Sequence, residues 1–331
     1  MFKWATVVTV ALTLLWLYFL VTGRDGGPAV RGYDVSLGDI GRLAAGFGFM
    51  YVAWGYVWYH IKRVTLRRFV GLSKDEIRMT FTSRMRFPFS LQGLLERFPE
   101  RRIRIADMIG RRGRFVTIGL LGFWGLYASI SKTPTADFMN LFVAQRFFDA
   151  IVMSWITLAL YYSDGFLARV VLGPQSRIMD GTLGRANCLL IMTLWSLFRF
   201  VMVPLGQKLA ILFPPETYAV LFAFIWISYL TSDGLAEIVG SLFGKQKLRV
   251  WGMGEVNRKS VAGTVACFLG SLVLCLALVW SHHLPLPWVG LAVAVSVTNT
   301  VFELFSPRGT DDFTMATSNA LVCWAFGAFV L

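Results

Sequence analysis

An acidic residue followed by small residues at four-residue spacing opens the stretch of this sequence that is best suited to chemistry. Asp233 precedes Ala236, Gly240 and Gly244, and Glu237 shares its face of the predicted helix. A row of small residues lets a ligand approach closely, although ordinary packing between two helices uses the same pattern. Asp233 favours a ligand, because a carboxylate near a membrane needs a partner. Mg²⁺, which prefers few carboxylates together with water and phosphate oxygens, is such a partner.

Lysines and the start of a second predicted helix follow this row. Lys259 stands directly before Ser260, which can cap the helix that begins there. The free N–H groups and the dipole of a helix start favour an anion, and lysines add positive charge. The stretch therefore suits a diphosphate or triphosphate, although a positively charged loop with a capped helix would account for the same lysines. The candidate nucleotide-binding residues are Gly240, Gly244, Lys245, Lys247, Ser260, Gly263 and Thr264.

A third group of acidic residues lies near the end of the sequence. Glu303, Asp311 and Asp312 are predicted to lie near one membrane surface, where they can hold Mg²⁺ or position an attacking hydroxyl. As an alternative, Asp311 or Asp312 caps the last helix. The candidate metal ligands are Asp233, Glu303, Asp311 and Asp312, and the candidate catalytic residues are Asp233, Lys259, Glu303 and Asp311.

The elements that must position these residues are membrane helices. The 331 residues are 56% hydrophobic and 15% charged, with a mean hydropathy of +0.60, which is the composition of a polytopic membrane protein. We predict an all-α membrane bundle with its N-terminus in the cytoplasm and nine spans at 2–21, 43–59, 115–130, 141–162, 187–205, 217–240, 261–280, 288–302 and 313–331. With this topology the strongly basic loops lie in the cytoplasm. The chain divides into two N-terminal spans (1–60), a basic segment (61–114) and a bundle (115–331) with the candidate site in 228–320.

The basic segment has a large excess of positive charge. Residues 62–114 contain fifteen Lys and Arg against five Asp and Glu, and apolar residues alternate with the arginines. This pattern favours amphipathic helices on the inner membrane surface, with anionic lipid headgroups rather than nucleic acid as partners. A basic anchor that only sets topology is the alternative. Charges inside predicted spans, at Arg146, Asp149 and Arg199, leave a transporter or a membrane scaffold as a further alternative.

The ordered set of residues resembles the family of dolichol kinase, phytol kinase and CTP-dependent diacylglycerol kinase. The resemblance covers residues 228–320, about the last third of the chain. Its matching positions are Asp233, Ala236, Gly240, Gly244 and Lys245, then Lys259, Ser260, Gly263 and Thr264, then Glu303, Asp311 and Thr314. Asp312 stands where the family usually has Asn, and Ala316 where it has Pro. The candidates for the family's upstream Arg-Lys element are Arg185, or Arg111 and Arg112.

The resemblance implies a membrane lipid kinase that uses Mg²⁺ and CTP, with ATP as an alternative donor. The implied acceptor is an isoprenoid alcohol or diacylglycerol that enters from the bilayer, and the implied site faces the cytoplasm. A bacterial inner membrane is the expected location, because no organelle-targeting pattern is evident. Phosphatidate cytidylyltransferases share the first part of the motif, but their downstream K-D and P-G-H-G-G elements are absent here. The resemblance therefore favours a kinase.

Overall fold

The computed structural model describes residues 52–81, 91–115, 165–174, 177–179, 213–250, 258–306 and 310–330, together with isolated positions between 7 and 159. Most of the first five predicted spans therefore lie outside the described residues. The same holds for Arg146, Asp149, Arg185 and Arg199, and for the side chain of Asp312.

Helices account for almost all of the described chain, which agrees with the predicted all-α class. They are α1 Trp54–Thr65, which continues as a π-helical turn Leu66–Val70, α2 Lys74–Phe81, α3 Leu91–Arg97, α4 Glu100–Phe115, α5 Phe166–Leu172, α6 Pro215–Phe222, which continues as a π-helical turn Ala223–Ile227, α7 Ser228–Leu242, α8 Val261–Ser281, α9 Pro287–Phe305 and α10 Asp311–Phe329. A short antiparallel hairpin of β1 Lys247–Arg249 and β2 Arg258–Ser260 connects α7 to α8.

Helices α6 to α10 form an apolar bundle. Among the described residues, three stretches are long and apolar enough to cross a membrane, namely Glu216–Leu242, Val261–Ser281 and Pro287–Phe305, and Phe313–Phe329 is a shorter apolar helix. Proline at the first turn of α6 and of α9 suits a helix start, because the missing N–H has no partner there in any case. The nine-span count and the orientation of the N-terminus stay predictions.

A buried polar cluster joins four helices of this bundle. Asn299 of α9 donates to Ser271 of α8 (2.9 Å) and to Ser228 of α7 (3.2 Å). Asn319 of α10 donates to the Asn299 side-chain oxygen (2.8 Å). All four side chains are fully buried. Because an apolar environment offers no other partner for these groups, the cluster ties the four helices together at one height.

The basic segment has a hydrophobic core of its own, which differs from the prediction. Leu91 and Leu94 of α3 are buried against Leu66, Ile77 and Ile103, and partly buried Leu95 and Phe98 pack on the same cluster. The prediction of membrane-surface helices assigned the apolar side chains of α3 to the bilayer. In the structure the described ones face the protein instead, because α1 to α4 pack on one another.

The predicted loops also differ in detail. The segment 241–260, predicted as a loop, contains the β1–β2 hairpin, in which Leu248 pairs with Lys259. Glu303, predicted to begin the next loop, lies in the last turn of α9. Thr310 rather than Asp311 is the N-cap of α10, so the capping alternative for Asp311 is wrong. These corrections place Glu303 and Asp311 on helix ends.

Candidate functional site

A charged pocket lies at one end of the bundle, where α7 and α9 end and α8 and α10 begin. It encloses about 700 Å³, part of which is open to solvent. Helix α4 of the basic segment forms a further wall. Six cationic and five acidic side chains line the pocket, namely Arg104, Arg112, Arg177, Lys247, Arg258 and Lys259 with Asp107, Asp233, Glu237, Glu303 and Asp311.

Lys259 lies between two carboxylates that the sequence places far from it. Its Nζ is 3.1 Å from Glu303 Oε1 and 3.5 Å from Asp311 Oδ2. Burial alone lowers the pKa of Lys259, but the negative charges of Asp311 and Glu303 outweigh this effect and hold the pKa above its ordinary value. Lys259 is therefore a fixed positive charge in a largely buried position.

Asp233 and Glu237 share one face of α7, as the spacing predicts. Arg112 Nη1 lies 2.6 Å from Asp233 Oδ2, and Arg112 Nε contacts Glu237 Oε2. Arg111 Nη1 lies 2.8 Å from Glu237 Oε1, and Arg177 Nη2 is 3.8 Å from Glu237 Oε2. Three guanidinium groups thus face the carboxylates of Asp233 and Glu237 on this side of the pocket.

The arginine side of the pocket was the part that the sequence did not assign. Arg111 and Arg112 appear in the sequence only as candidates for the upstream element of the family, and the structure brings both beside α7. Arg104, Asp107 and Arg177 had no predicted role. Their only signal was the concentration of positive charge in loops predicted to be cytoplasmic, which topology explains equally well.

The row of small residues provides close helix packing beside the pocket. Ser260 caps α8 by accepting a hydrogen bond from the Gly263 N–H (3.1 Å), as predicted. A Cβ at Gly263 would lie 2.7 Å from the Ala236 carbonyl oxygen, and a Cβ at Gly240 would lie 2.7 Å from Ser260 Oγ. The glycines therefore allow the start of α8 to approach α7. Gly240, Ser260 and Gly263 also line the pocket.

The other predicted phosphate-binding residues occupy different positions. Lys247 lines the pocket from β1, and burial, followed by the nearby charge of Arg104, lowers its pKa. Lys245 is exposed on the surface and does not line the pocket. The Thr264 hydroxyl donates to the Ser260 carbonyl oxygen (3.2 Å), and Gly244 packs against Gly240 and Ser260. Lys245, Thr264 and Gly244 therefore do not line the pocket.

The acidic residues of the pocket do not form a ready-made metal centre. Within the described residues, no three His, Cys, Asp or Glu side chains are grouped so that they could hold a metal ion by themselves. Glu303 Oε2 is nevertheless buried without a hydrogen-bond partner among those residues. One or two carboxylates with phosphate oxygens and water are the usual ligands of Mg²⁺ in a nucleotide site. The donor set therefore fits Mg²⁺ that arrives with phosphates.

Fold and site together describe a helical membrane protein with a pocket of mixed charge at one end of its apolar bundle. Comparison with known proteins finds a partial similarity to a kinase. The chain is 33% identical over 107 residues to the phytol kinase of Synechocystis sp., a match that covers 32% of this chain. It covers 44% of the relative, so the chain spans less than half of that protein's length. No protein-family model and no solved structure matches the chain.

Proposed function

We propose that the protein is a membrane lipid kinase that transfers a phosphoryl group from a nucleoside triphosphate, with CTP preferred to ATP, to an isoprenoid alcohol or diacylglycerol. The observation that carries the proposal is the meeting of Asp233, Lys259, Glu303 and Asp311 in one pocket, although they come from four separate elements. The partial similarity to a phytol kinase supports the same chemistry.

Phosphoryl transfer needs positioning and charge neutralisation more than covalent chemistry by the protein. The cations of the pocket are suited to the first task. Lys259 and Lys247, with the N-terminus of α8, bind the phosphate chain and offset its charge. The arginines beside Glu237 extend this positive field towards α4.

The carboxylates have complementary tasks. One or two carboxylates among Asp233, Glu303 and Asp311 would hold Mg²⁺ together with phosphate oxygens and water, and the ion would neutralise charge on the transferring phosphate. Glu303 lies at the end of a membrane-facing helix, and its buried Oε2 is suited to accept the proton of the lipid hydroxyl. Lys259, held within 3.5 Å of both carboxylates, keeps them oriented.

The cytoplasmic side of a bacterial inner membrane is the proposed location of the site. The helix ends that form the pocket are adjacent to the basic helices α1 to α4, and strongly basic segments stay in the cytoplasm. A nucleotide would reach the pocket from that side, and the lipid acceptor would reach it from the bilayer between the helices. Anionic headgroups near the exposed arginines of the basic segment would lie in the same plane.

The test uses purified full-length protein in detergent with Mg²⁺, labelled CTP or ATP, and a panel of phytol, farnesol, long polyprenols, diacylglycerol and phosphatidate. We expect a nucleoside diphosphate and a phosphorylated alcohol, both lost when EDTA removes Mg²⁺. Pyrophosphate formed with a CDP-lipid would identify a cytidylyltransferase instead. No turnover with any pair of substrates would contradict the proposal and favour a transporter or a scaffold.

A further inference from the structure

We propose that the buried ion pair between Lys62 and Asp107 is a positioning device that holds Arg177 in the pocket, where its guanidinium binds a phosphate group of the substrate. This inference rests on the proposed function, which supplies the phosphate. It assigns a role in binding to the basic segment and to the loop after α5, both of which lie far from the motif residues in the sequence.

The pair is more deeply buried than any surface salt bridge of the basic segment. Lys62 of α1 is 1% exposed and Asp107 of α4 is 3% exposed, with Nζ and Oδ1 3.1 Å apart. Gly110 makes room for the lysine, because a Cβ at that position would lie 2.5 Å from Lys62 Cδ. Burying two charges is costly unless further hydrogen bonds compensate the loss of water. The groups that form those hydrogen bonds are therefore held in place by the pair.

Among the described residues, both members of the pair contact the backbone of the segment that follows α5. Lys62 Nζ donates to the Gly173 carbonyl oxygen at 3.4 Å. Asp107 Oδ2 accepts hydrogen bonds from the backbone N–H groups of Ile178 (2.7 Å) and Met179 (3.3 Å). The pair therefore holds the backbone of Gly173 and that of Ile178 and Met179 against α1 and α4. Arg177 directly precedes the two residues that Asp107 binds.

Arg177 points from this fixed loop into the pocket. Its side chain is 16% exposed, and it faces Glu237, which already binds Arg111 and Arg112. Three guanidinium groups face Glu237 and Asp233 here, and cationic side chains outnumber acidic ones in the pocket lining by six to five, which favours an incoming anion. A guanidinium binds phosphate through two parallel hydrogen bonds, and this geometry is effective only when the group is held in place. The Lys62–Asp107 pair supplies that constraint.

The experiment is a double-mutant cycle on the full-length protein in nanodiscs, with Asp107→Asn, Arg177→Ala and the combined variant. Each protein is assayed for KM of the nucleoside triphosphate, for kcat and for the midpoint of thermal unfolding. Glu76→Gln is the matched control, because Glu76 also accepts a backbone hydrogen bond, from Ser73 (2.8 Å), and pairs with Arg97, but does not line the pocket. Lys62→Met tests the other half of the pair.

We expect Arg177→Ala to raise KM for the triphosphate roughly tenfold or more, with a smaller change in kcat. Asp107→Asn and Lys62→Met raise KM as well. In the Arg177→Ala background, Asp107→Asn changes KM by less than about twofold, because its effect on binding passes through Arg177. Glu76→Gln leaves KM unchanged even if it lowers the unfolding midpoint. Fully additive effects on KM, or an unchanged KM in Arg177→Ala, would overturn the positioning role.

Inorganic tripolyphosphate separates this inference from the proposed function. We expect it to raise the unfolding midpoint of the wild-type protein, and to do so less for Arg177→Ala and Asp107→Asn. If the wild type is stabilised in this way but turns over no nucleotide with any acceptor, the kinase proposal fails and the phosphate site stands. If the wild type is active and tripolyphosphate stabilises all variants equally, the phosphate site fails and the kinase stands. If the wild type shows no turnover and tripolyphosphate does not stabilise it, both the kinase proposal and the phosphate site are overturned.

Discussion

At the scale of single residues, Lys259 joins two acidic residues of the candidate site that come from separate helices. It is the one cation of the described pocket that lies between the last turn of α9 and the first residue of α10. The sequence predicted its role and those of Glu303 and Asp311 from an ordered motif, but not that they pair with one another. Pairing depends on the distance between helix ends, and spacing along the chain does not determine that distance.

We expect Lys259→Met to lower turnover by about 100-fold or more, because the variant loses a fixed positive charge beside the reacting phosphates. Lys259→Arg keeps the positive charge but places it on a planar guanidinium group, and we expect this variant to retain more activity than Lys259→Met. The measurement is kcat/KM for the nucleotide, with the unfolding midpoint recorded for each variant. Arg249→Met is the control, since Arg249 is exposed on β1 and lies outside the pocket lining. Equal losses for the control and for Lys259→Met would contradict this role.

At the scale of elements, the packing of α7 on α8 determines where the residues proposed to bind phosphate lie. The sequence predicted helices at 217–240, 261–280, 288–302 and 313–331, and the structure has helices there. These helices could be predicted from the sequence because of their apolar periodicity and their length. The β1–β2 hairpin was missed because its strands have only three residues each, which is too short for an alternating pattern to be recognised.

Gly263→Ala tests the close approach of these two helices. The new Cβ would meet the Ala236 carbonyl oxygen at 2.7 Å, so we expect the variant to be destabilised by about 1–3 kcal/mol. Gly290→Ala in α9 is the matched control, because a Cβ there meets no atom of the described residues within 4 Å. We expect the control to be neutral or slightly stabilised, since alanine favours a helix. Denaturation followed by circular dichroism would compare the two, and equal stability would show that α7 and α8 are not in tight contact here.

The buried polar cluster gives a second prediction at this scale. Asn299→Leu leaves the Asn319 and Ser271 side chains without one of their partners, at a cost of about 1–3 kcal/mol. Replacing Asn299 and Asn319 together by leucine removes both polar groups, so we expect the double variant to be more stable than the sum of the single variants suggests. Unfolding free energies of the four proteins give the coupling, and strict additivity would contradict a shared cluster.

At the scale of the whole molecule, the pocket joins two parts of the sequence that composition keeps apart. The motif residues follow residue 228, whereas Arg112, Asp107 and Lys62 belong to the basic segment. The sequence singled out the first part because acidic and lysine residues are rare in apolar spans. It did not predict the second part, because the sequence does not distinguish an arginine that sets membrane topology from an arginine that binds a ligand.

The proposed orientation predicts which ends of the helices face the cytoplasm. In a protein whose native cysteines are replaced by serine, Lys245→Cys and His283→Cys place one thiol at each end of α8. We expect a membrane-impermeant maleimide to label position 245 in inside-out vesicles and position 283 in right-side-out vesicles. Detergent-permeabilised vesicles, in which both positions are labelled, are the control. The reverse pattern would place the pocket on the outer side of the membrane.

The pairing of α4 with α7 also has a consequence for biosynthesis. Arg112 leaves the ribosome 125 residues before Glu237, the carboxylate that it contacts. At ordinary translation speeds this interval is roughly 6 to 25 seconds. Lys62 and Asp107 are separated by fewer than fifty residues, so this pair can form much earlier. The basic segment can therefore assemble first, and the candidate pocket is complete only after α7 to α10 have been synthesised.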